Sequence, residues 1–143
     1  MTYLLDVNVI LALIDPHHVF HQLAHKWFAA EGQASWATCP LTENGAIRIL
    51  GHARYPEGPG RPAAAATLVA GLRNHAGHQF WGDGISLFSA DHVTIALVAT
   101  AAQVTDTYLL ALAVSRGGRL ATLDRRLSPA AVQGGSQALV VIG

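Results

Sequence analysis

Charge is scarce in this chain, and lysine is scarcer still. Of its 143 residues only 13% are Asp, Glu, Lys or Arg, against 51% hydrophobic, and the formal net charge at pH 7 is zero. A neutral chain sets up no global field to draw in nucleic acid, so any contact with a polyanion must be local. Lys26 is the only lysine; every other basic residue is Arg. Cysteine is nearly absent too. Cys39 stands alone, which excludes an internal disulfide, reads as a small buried hydrophobe and fits a reducing compartment. Long apolar runs are also missing: the longest candidate, Val93 to Val104, is broken by Thr and Gln and falls short of the roughly 18 residues that a bilayer span requires. No basic stretch precedes the first apolar run, as a signal peptide would require, so a cytoplasmic protein without membrane contact is expected. The length suits one domain, able to bury about 70% of its unfolded surface without staples. With so few charges to cover that domain, an apolar patch is expected to stay open for a partner.

What is present alternates strand and helix. Tyr3-Leu4-Leu5 reads as a buried strand ending at Asp6, with Asp6 or Asn8 capping a helix that runs to Ile14 and stops at Asp15-Pro16. Val19, Phe20, Leu23, Ala24, Trp27 and Phe28 form a helical stripe, with Gly32 just beyond it. Ala34 to Thr38 reads as a strand, Pro40 to Leu50 as a helix stopped by Gly51, residues 54 to 62 as a loop, and Ala63 to Leu72 as a helix. Gln79-Phe80-Trp81 is a third strand, and residues 85 to 104 fit neither period. Thr105-Asp106 is expected to cap a helix ended by Gly117-Gly118; Arg119 to Leu123 is a fourth strand and Ala138 to Ile142 a fifth. This order predicts an α/β fold: a mainly parallel sheet of four or five strands between two helical layers, with its functional crevice beyond the carboxyl ends of the strands.

Four of the nine acidic residues fall on that edge. Asp6 and Asp124 end the first and fourth strands; Glu43 and Asp106 lie in the first turns of following helices. Each alone would serve as a cap or dipole partner, worth about 0.3 to 1 kcal/mol. Together they repel: a like-charged pair about 4 Å apart near a surface costs about 4 kcal/mol, which a divalent cation offsets and capping does not. Oxygen donors without Cys or His suit Mg²⁺, with Mn²⁺ as substitute, and such a centre can activate water against a phosphodiester.

The segments Leu4-Leu5-Asp6-Val7-Asn8-Val9, Pro40-Leu41-Thr42-Glu43-Asn44, Val104 to Ala113 (Val-Thr-Asp-Thr-Tyr-Leu-Leu-Ala-Leu-Ala) and Leu120-Ala121-Thr122-Leu123-Asp124 resemble, in order and over nearly the whole chain, the motifs of PIN domains, in particular the VapC-type toxins of bacterial toxin–antitoxin pairs. The resemblance implies a PIN-like α/β/α fold, an acidic Mg²⁺ or Mn²⁺ site, RNA cleavage, a homodimer, and a cognate antitoxin that blocks the site. It makes Asp6 and Asp106 the principal metal ligands. Glu43 becomes a third acid that binds metal or orients water, and Asp124 the acid that completes the site. Thr122 and Asn8 stand behind them as a hydroxyl and an amide partner. Where some members carry a further acid after the fourth, this chain has Arg125 and Arg126. These two are candidate RNA phosphate contacts, since Arg grips phosphate bidentately. Direct DNA binding by this chain is not expected.

Other features read as structural. His21 and His25 have zinc-compatible i, i+4 spacing but lack the central Glu and a third ligand, so they are taken as surface or groove histidines. Gly58 to Gly60 lacks the ending of a phosphate loop. The Val19 to Phe28 stripe is expected to pack into the core and to leave a groove for an antitoxin segment. Two other functions compete: a catalytically weak binding module of the same fold, and a phosphohydrolase using Asp6 as nucleophile. The latter needs an acid where Asn8 stands and a lysine near the second acid, which Lys26 does not supply.

Overall fold

Leu4 and Leu5 are adjacent in an extended segment, so they point to opposite faces. Both are fully buried, which requires a sheet covered on both sides. The computed structural model, which describes residues 1–143, has this arrangement. Strand β1 (Tyr3–Leu5) is central, flanked by β2 (Trp36–Thr38) and β4 (Arg119–Thr122), with β3 (His78–Phe80) and β5 (Leu139–Val141) at the edges. The order is β3-β2-β1-β4-β5 and every pairing is parallel. The only antiparallel contact is an isolated bridge between Val93 and Val132.

One face carries Leu5, Trp36 and Ala121 beneath α1 (Val7–Ile14), α2 (His21–Trp27), α3 (Pro40–Leu50) and α4 (Pro62–Arg73). The other carries Leu4, Ala37 and Leu120 beneath α5 (Gln103–Ser115) and the short α6 (Gly135–Ala138). The chain moves outward from β1 through β2 to β3, then returns to the opposite side of β1 for β4. The strand order therefore reverses between β1 and β4, and in such sheets that reversal opens a crevice at the carboxyl ends.

Local chemistry explains the elements and their departures from expectation. Asp6, extended at φ −64°, ψ 157°, caps α1 by accepting from Val7 N–H at 2.8 Å. Pro40 opens α3, where Cys39 N–H donates to the Thr42 hydroxyl at 3.0 Å. The apolar stripe is shorter than its sequence suggests: Val19 and Phe20 precede α2 and are exposed, while Ala24 and Phe28 are buried. Past Trp27 the helix widens into a π turn over Phe28–Gly32, closed by Gln33 N–H to Phe28 C=O at 2.8 Å. Gly32 ends it because a Cβ there would lie 2.7 Å from the Trp27 ring. Helix α5 begins at Gln103, two residues before the expected cap, so Asp106 lies inside its first turn and does not cap it. Residues 85 to 102 are irregular, with one 3₁₀ turn at Ile95–Leu97.

The paired histidines have a structural task. His21 Nδ1 lies 2.7 Å from the Ala12 carbonyl and His25 Nε2 2.8 Å from that of Leu13, so each ring donates to the open carbonyl end of α1. No group of three or more His, Cys, Asp or Glu side chains is positioned to hold a metal ion, here or elsewhere.

Helices α3 and α4 meet where α3 stops. A Cβ on Gly51 would come within 2.6 Å of Pro62 Cα and 2.7 Å of the Ile47 carbonyl, both backbone atoms. Gly51→Ala is therefore expected to lower stability by about 1–3 kcal/mol, the cost of forcing volume into a packed site. Urea unfolding should show a lower midpoint with an unchanged slope.

Candidate active site

The carboxyl ends of β1 and β4 are in register, with Leu5 opposite Ala121, so the residues that follow each strand emerge side by side. Asp6 is buried. Its Oδ1 accepts from Val7 N–H and its Oδ2 from the Thr122 hydroxyl at 2.8 Å. The Thr122 oxygen in turn accepts from Asn8 Nδ2 at 3.2 Å and from Asp124 N–H at 3.1 Å. A hydroxyl has one proton and two lone pairs, and all three are engaged. Asn8 closes the loop by accepting from Leu123 N–H at 3.1 Å through its Oδ1. It is a clamp between the two strand ends; the helix cap is Asp6. The Asp124 carboxylate accepts from Arg126 N–H at 2.9 Å, which holds the turn after β4.

Asp106 reaches the same crevice from α5. Burial pushes its carboxyl up to about 6, and the neighbouring charges of Asp6 and Asp124 push the same way. Asp6 is also raised, chiefly by burial and further by Asp124, against the lowering pull of its Thr122 and Val7 hydrogen bonds. Three acids from positions 6, 106 and 124 thus act on one another across the reversal point of the sheet.

Glu43 keeps different company. Its Oε2 accepts from the Thr38 hydroxyl at 2.7 Å and forms an ion pair with Arg73, whose Nε lies 3.2 Å away. With its proton committed to Glu43, the Thr38 oxygen accepts from His78 Nε2 at 2.7 Å, which fixes that tautomer. Burial, followed by the charge of Arg73, lowers the His78 pKa, while Glu43 opposes the shift. Thr38, Arg73 and His78 were not anticipated from the sequence. Thr38 had a signal: β2 and β4 end in Trp-Ala-Thr and Leu-Ala-Thr, and each terminal hydroxyl donates to an acid of the rim. Of the two candidate phosphate contacts, the Arg126 side chain is 96% exposed, whereas Arg125 Nη2 lies 3.4 Å from the Gly143 carbonyl.

A family model described as PIN domain matches residues 3–132, a span that includes all four acids. The chain belongs to the PIN domain family. Among curated relatives, it is 39% identical over 137 residues to Ribonuclease VapC44 of Mycobacterium tuberculosis, covering 96% of each chain. It is 40% identical over 134 residues to Ribonuclease VapC39 of the same organism, covering 94% of this chain and 96% of the relative. The fold is also that of the Mycobacterium tuberculosis VapC20 crystal structure, titled as a sarcin-ricin-loop-cleaving toxin, with a TM-score of 0.60 at 15% identity, covering 95% of this chain and 94% of that one. The Rickettsia felis VapBC2 structure, bound to a promoter DNA fragment, gives 0.54 at 10% identity, covering 87% and 89%. The three-layer sheet architecture expected from the sequence is therefore that of the PIN domain.

Two outcomes follow for the metal-free protein. Asp106 binds its proton more tightly folded, at about 6, than its ordinary value of 3.8. Folding stability should therefore be greatest below about pH 4 as far as this group is concerned, and should fall as pH rises to about 6. Asp106→Asn should remove that component, as checked by urea unfolding at stepped pH in EDTA. Thr122→Val keeps the shape but leaves the Asp6 carboxylate, the Asn8 amide and Asp124 N–H each short of a partner. A loss of about 1–3 kcal/mol is expected in the same measurement at neutral pH.

Proposed function

We propose that this PIN domain is a metal-dependent endoribonuclease that hydrolyses RNA phosphodiester bonds and acts as the toxin of a toxin–antitoxin pair. One observation carries the reading. Asp6, which is buried, and Asp106 and Asp124, which follow it by 100 and 118 positions and are half-exposed, bear on one another at the sheet's reversal point, an arrangement that costs stability unless a cation resides there. The naming of relatives about 40% identical over nearly the full chain as ribonucleases supports the same chemistry.

The donor set fits Mg²⁺ or Mn²⁺. Asp6, Asp106 and Asp124 offer only oxygen, and they are not drawn into a closed cage of three. That suits an ion that keeps several waters and takes one or two protein carboxylates plus a phosphate. When bound, such a cation supplies charge neutralisation at the phosphate and a lowered pKa for water. The chain's own residues do the rest. Thr122 and Asn8 fix the Asp6 carboxylate and the turn to Asp124, so both acids face the crevice without reorganising. Asp106 loses its proton only near pH 6, so it becomes an anionic ligand in the neutral range. Glu43, held through Oε2 by Thr38 and Arg73, keeps Oε1 available to orient an attacking water. Arg126, exposed beside Asp124, is positioned for a substrate phosphate, and Arg125 stands next to it.

The proposed partners are RNA, a cognate antitoxin and a second copy of this chain. A channel of about 360 Å³ lined by Leu13, Ile14, Phe28, Leu68 and Leu72 supports an apolar antitoxin segment. It lies beside the Val19–Phe28 stripe, although Val19 and Phe20 themselves are outside it. Exposed Phe88, Ile95 and Leu97 give a second apolar surface for self-association. No helix is long and apolar enough to cross a membrane, consistent with the proposed cytoplasmic location.

The test is cleavage of a mixed RNA pool. Activity should require Mg²⁺ or Mn²⁺ and vanish in EDTA. Asp6→Asn and Asp106→Asn should lose cleavage by about 100-fold or more while still unfolding cooperatively. Mg²⁺ should raise the melting temperature of the parent protein but not of Asp106→Asn. Metal-independent cleavage, or full activity in both variants, would refute the assignment.

A further inference from the structure

Next to Glu43, outside the acidic crevice, an arginine and an aromatic ring are stacked in the open. Phe80 is the last residue of edge strand β3 and is 49% exposed. Arg73, the last residue of α4, lies with its guanidinium carbon 5.6 Å from the Phe80 ring centroid. Its Nε is tied to Glu43 Oε2 at 3.2 Å, and its side chain remains 43% exposed. Beyond its ion pair with Glu43, the guanidinium makes no hydrogen bond in the chain. The guanidinium is thus anchored at one donor and held over an aromatic ring, with its outer donors free. Since every strand is parallel, Phe80 stands on the same edge of the sheet as Asp6 and Asp124.

Burial does not account for this pair, since a half-exposed phenylalanine contributes little to the core. The place of Arg73 in the last turn of α4 suits the helix dipole, and its exposed ion pair with Glu43 contributes little, but neither explains an aromatic ring held open beside the guanidinium. The chemistry matches one nucleotide of a single strand: unstacked bases pack on aromatic rings or guanidinium planes, and free guanidinium donors grip a phosphate edge-on.

We infer that Phe80 and Arg73 form a nucleotide-binding step beside the active site, where Phe80 stacks one base of single-stranded RNA and the terminal nitrogens of Arg73 hold the adjoining phosphate. This rests on the ribonuclease reading and adds to it a fixed point for the substrate strand. Because Arg73 is also paired with Glu43, the strand is registered against an acid of the rim, and a phosphate seated on Arg73 lies one side chain away from that carboxylate.

The probe is a short fluorescein-labelled single-stranded RNA of mixed sequence. Binding is read by anisotropy in EDTA, where the proposed cleavage is suppressed, across a range of salt concentrations. Phe80→Ala removes a half-exposed ring and should fold normally. It should weaken binding by about tenfold, with the salt dependence unchanged. Phe80→Trp should retain affinity, and Phe80→Leu should not. Arg73→Ala should weaken binding and reduce the salt slope by about one. Cleavage by the parent protein is measured separately in Mg²⁺. If the parent cleaves RNA while Phe80→Ala binds it as tightly as the parent, the nucleotide step is overturned and the nuclease stands. If the parent neither binds nor cleaves RNA, both fall.

Discussion

A single hydroxyl holds the centre of this molecule in register. The Thr122 oxygen donates to Asp6 and accepts from Asn8 and Asp124, linking residues on both sides of the β1–β4 junction. Buried acids repel, and an apolar core offers nothing to restrain them. Without a polar group of matched capacity, the two strand ends would splay or the carboxylates would turn to solvent. The hydroxyl instead lets the fold keep acids where they are electrostatically unfavourable, and that unfavourable charge is what the proposed cation would relieve. Stability and function oppose each other at this point, and Thr122 sets the balance.

The rim has a division of labour. On one side Asp6 and Asp106 face no cation of the chain, and Asp124 has only the exposed Arg126 at 4.0 Å. On the other, Glu43 already has its cation, Arg73, and its hydroxyl, Thr38. The same local device, a threonine at the end of a strand donating to an acid, is used twice, once beside the repelling cluster and once beside a neutralised one. A rim with four free carboxylates would be costlier to fold and would repel a phosphate more strongly. Pairing the fourth acid with arginine lessens the repulsion and places a positive charge where a polyanion would lie.

Much of this is legible in the sequence. Leu4-Leu5 and the Leu109–Ala113 run announce a sheet buried on both faces, and each of the four acids sits where a strand has just ended or a helix has just begun. Periodicity could not assign residues 85 to 102, because they follow none: their order comes from turns and a single bridge at Val93. The start of α5 was placed late, since Thr105-Asp106 looks like a cap while Gln103 has no sequence mark as a first helical residue. The extent of α2 was overestimated because Val19 and Phe20 continue an apolar stripe in sequence but precede the helix in space. Arg73 and His78 were invisible for a different reason. Their roles depend on Glu43 and Thr38, some 30 to 40 positions earlier, and no local pattern records a tertiary hydrogen bond.

The central strand pairs with a segment made more than a hundred residues later: Tyr3 lies opposite Arg119, and Asp6 depends on a hydroxyl at position 122. A nascent chain emerging from the ribosome therefore carries β1 without its β4 neighbour until more than a hundred further residues have been translated. For the ribonuclease proposed above, this order of events would be protective: the cleft stays unformed while everything between β1 and β4 is synthesised, beside the machine whose RNA, and whose template, lie within reach.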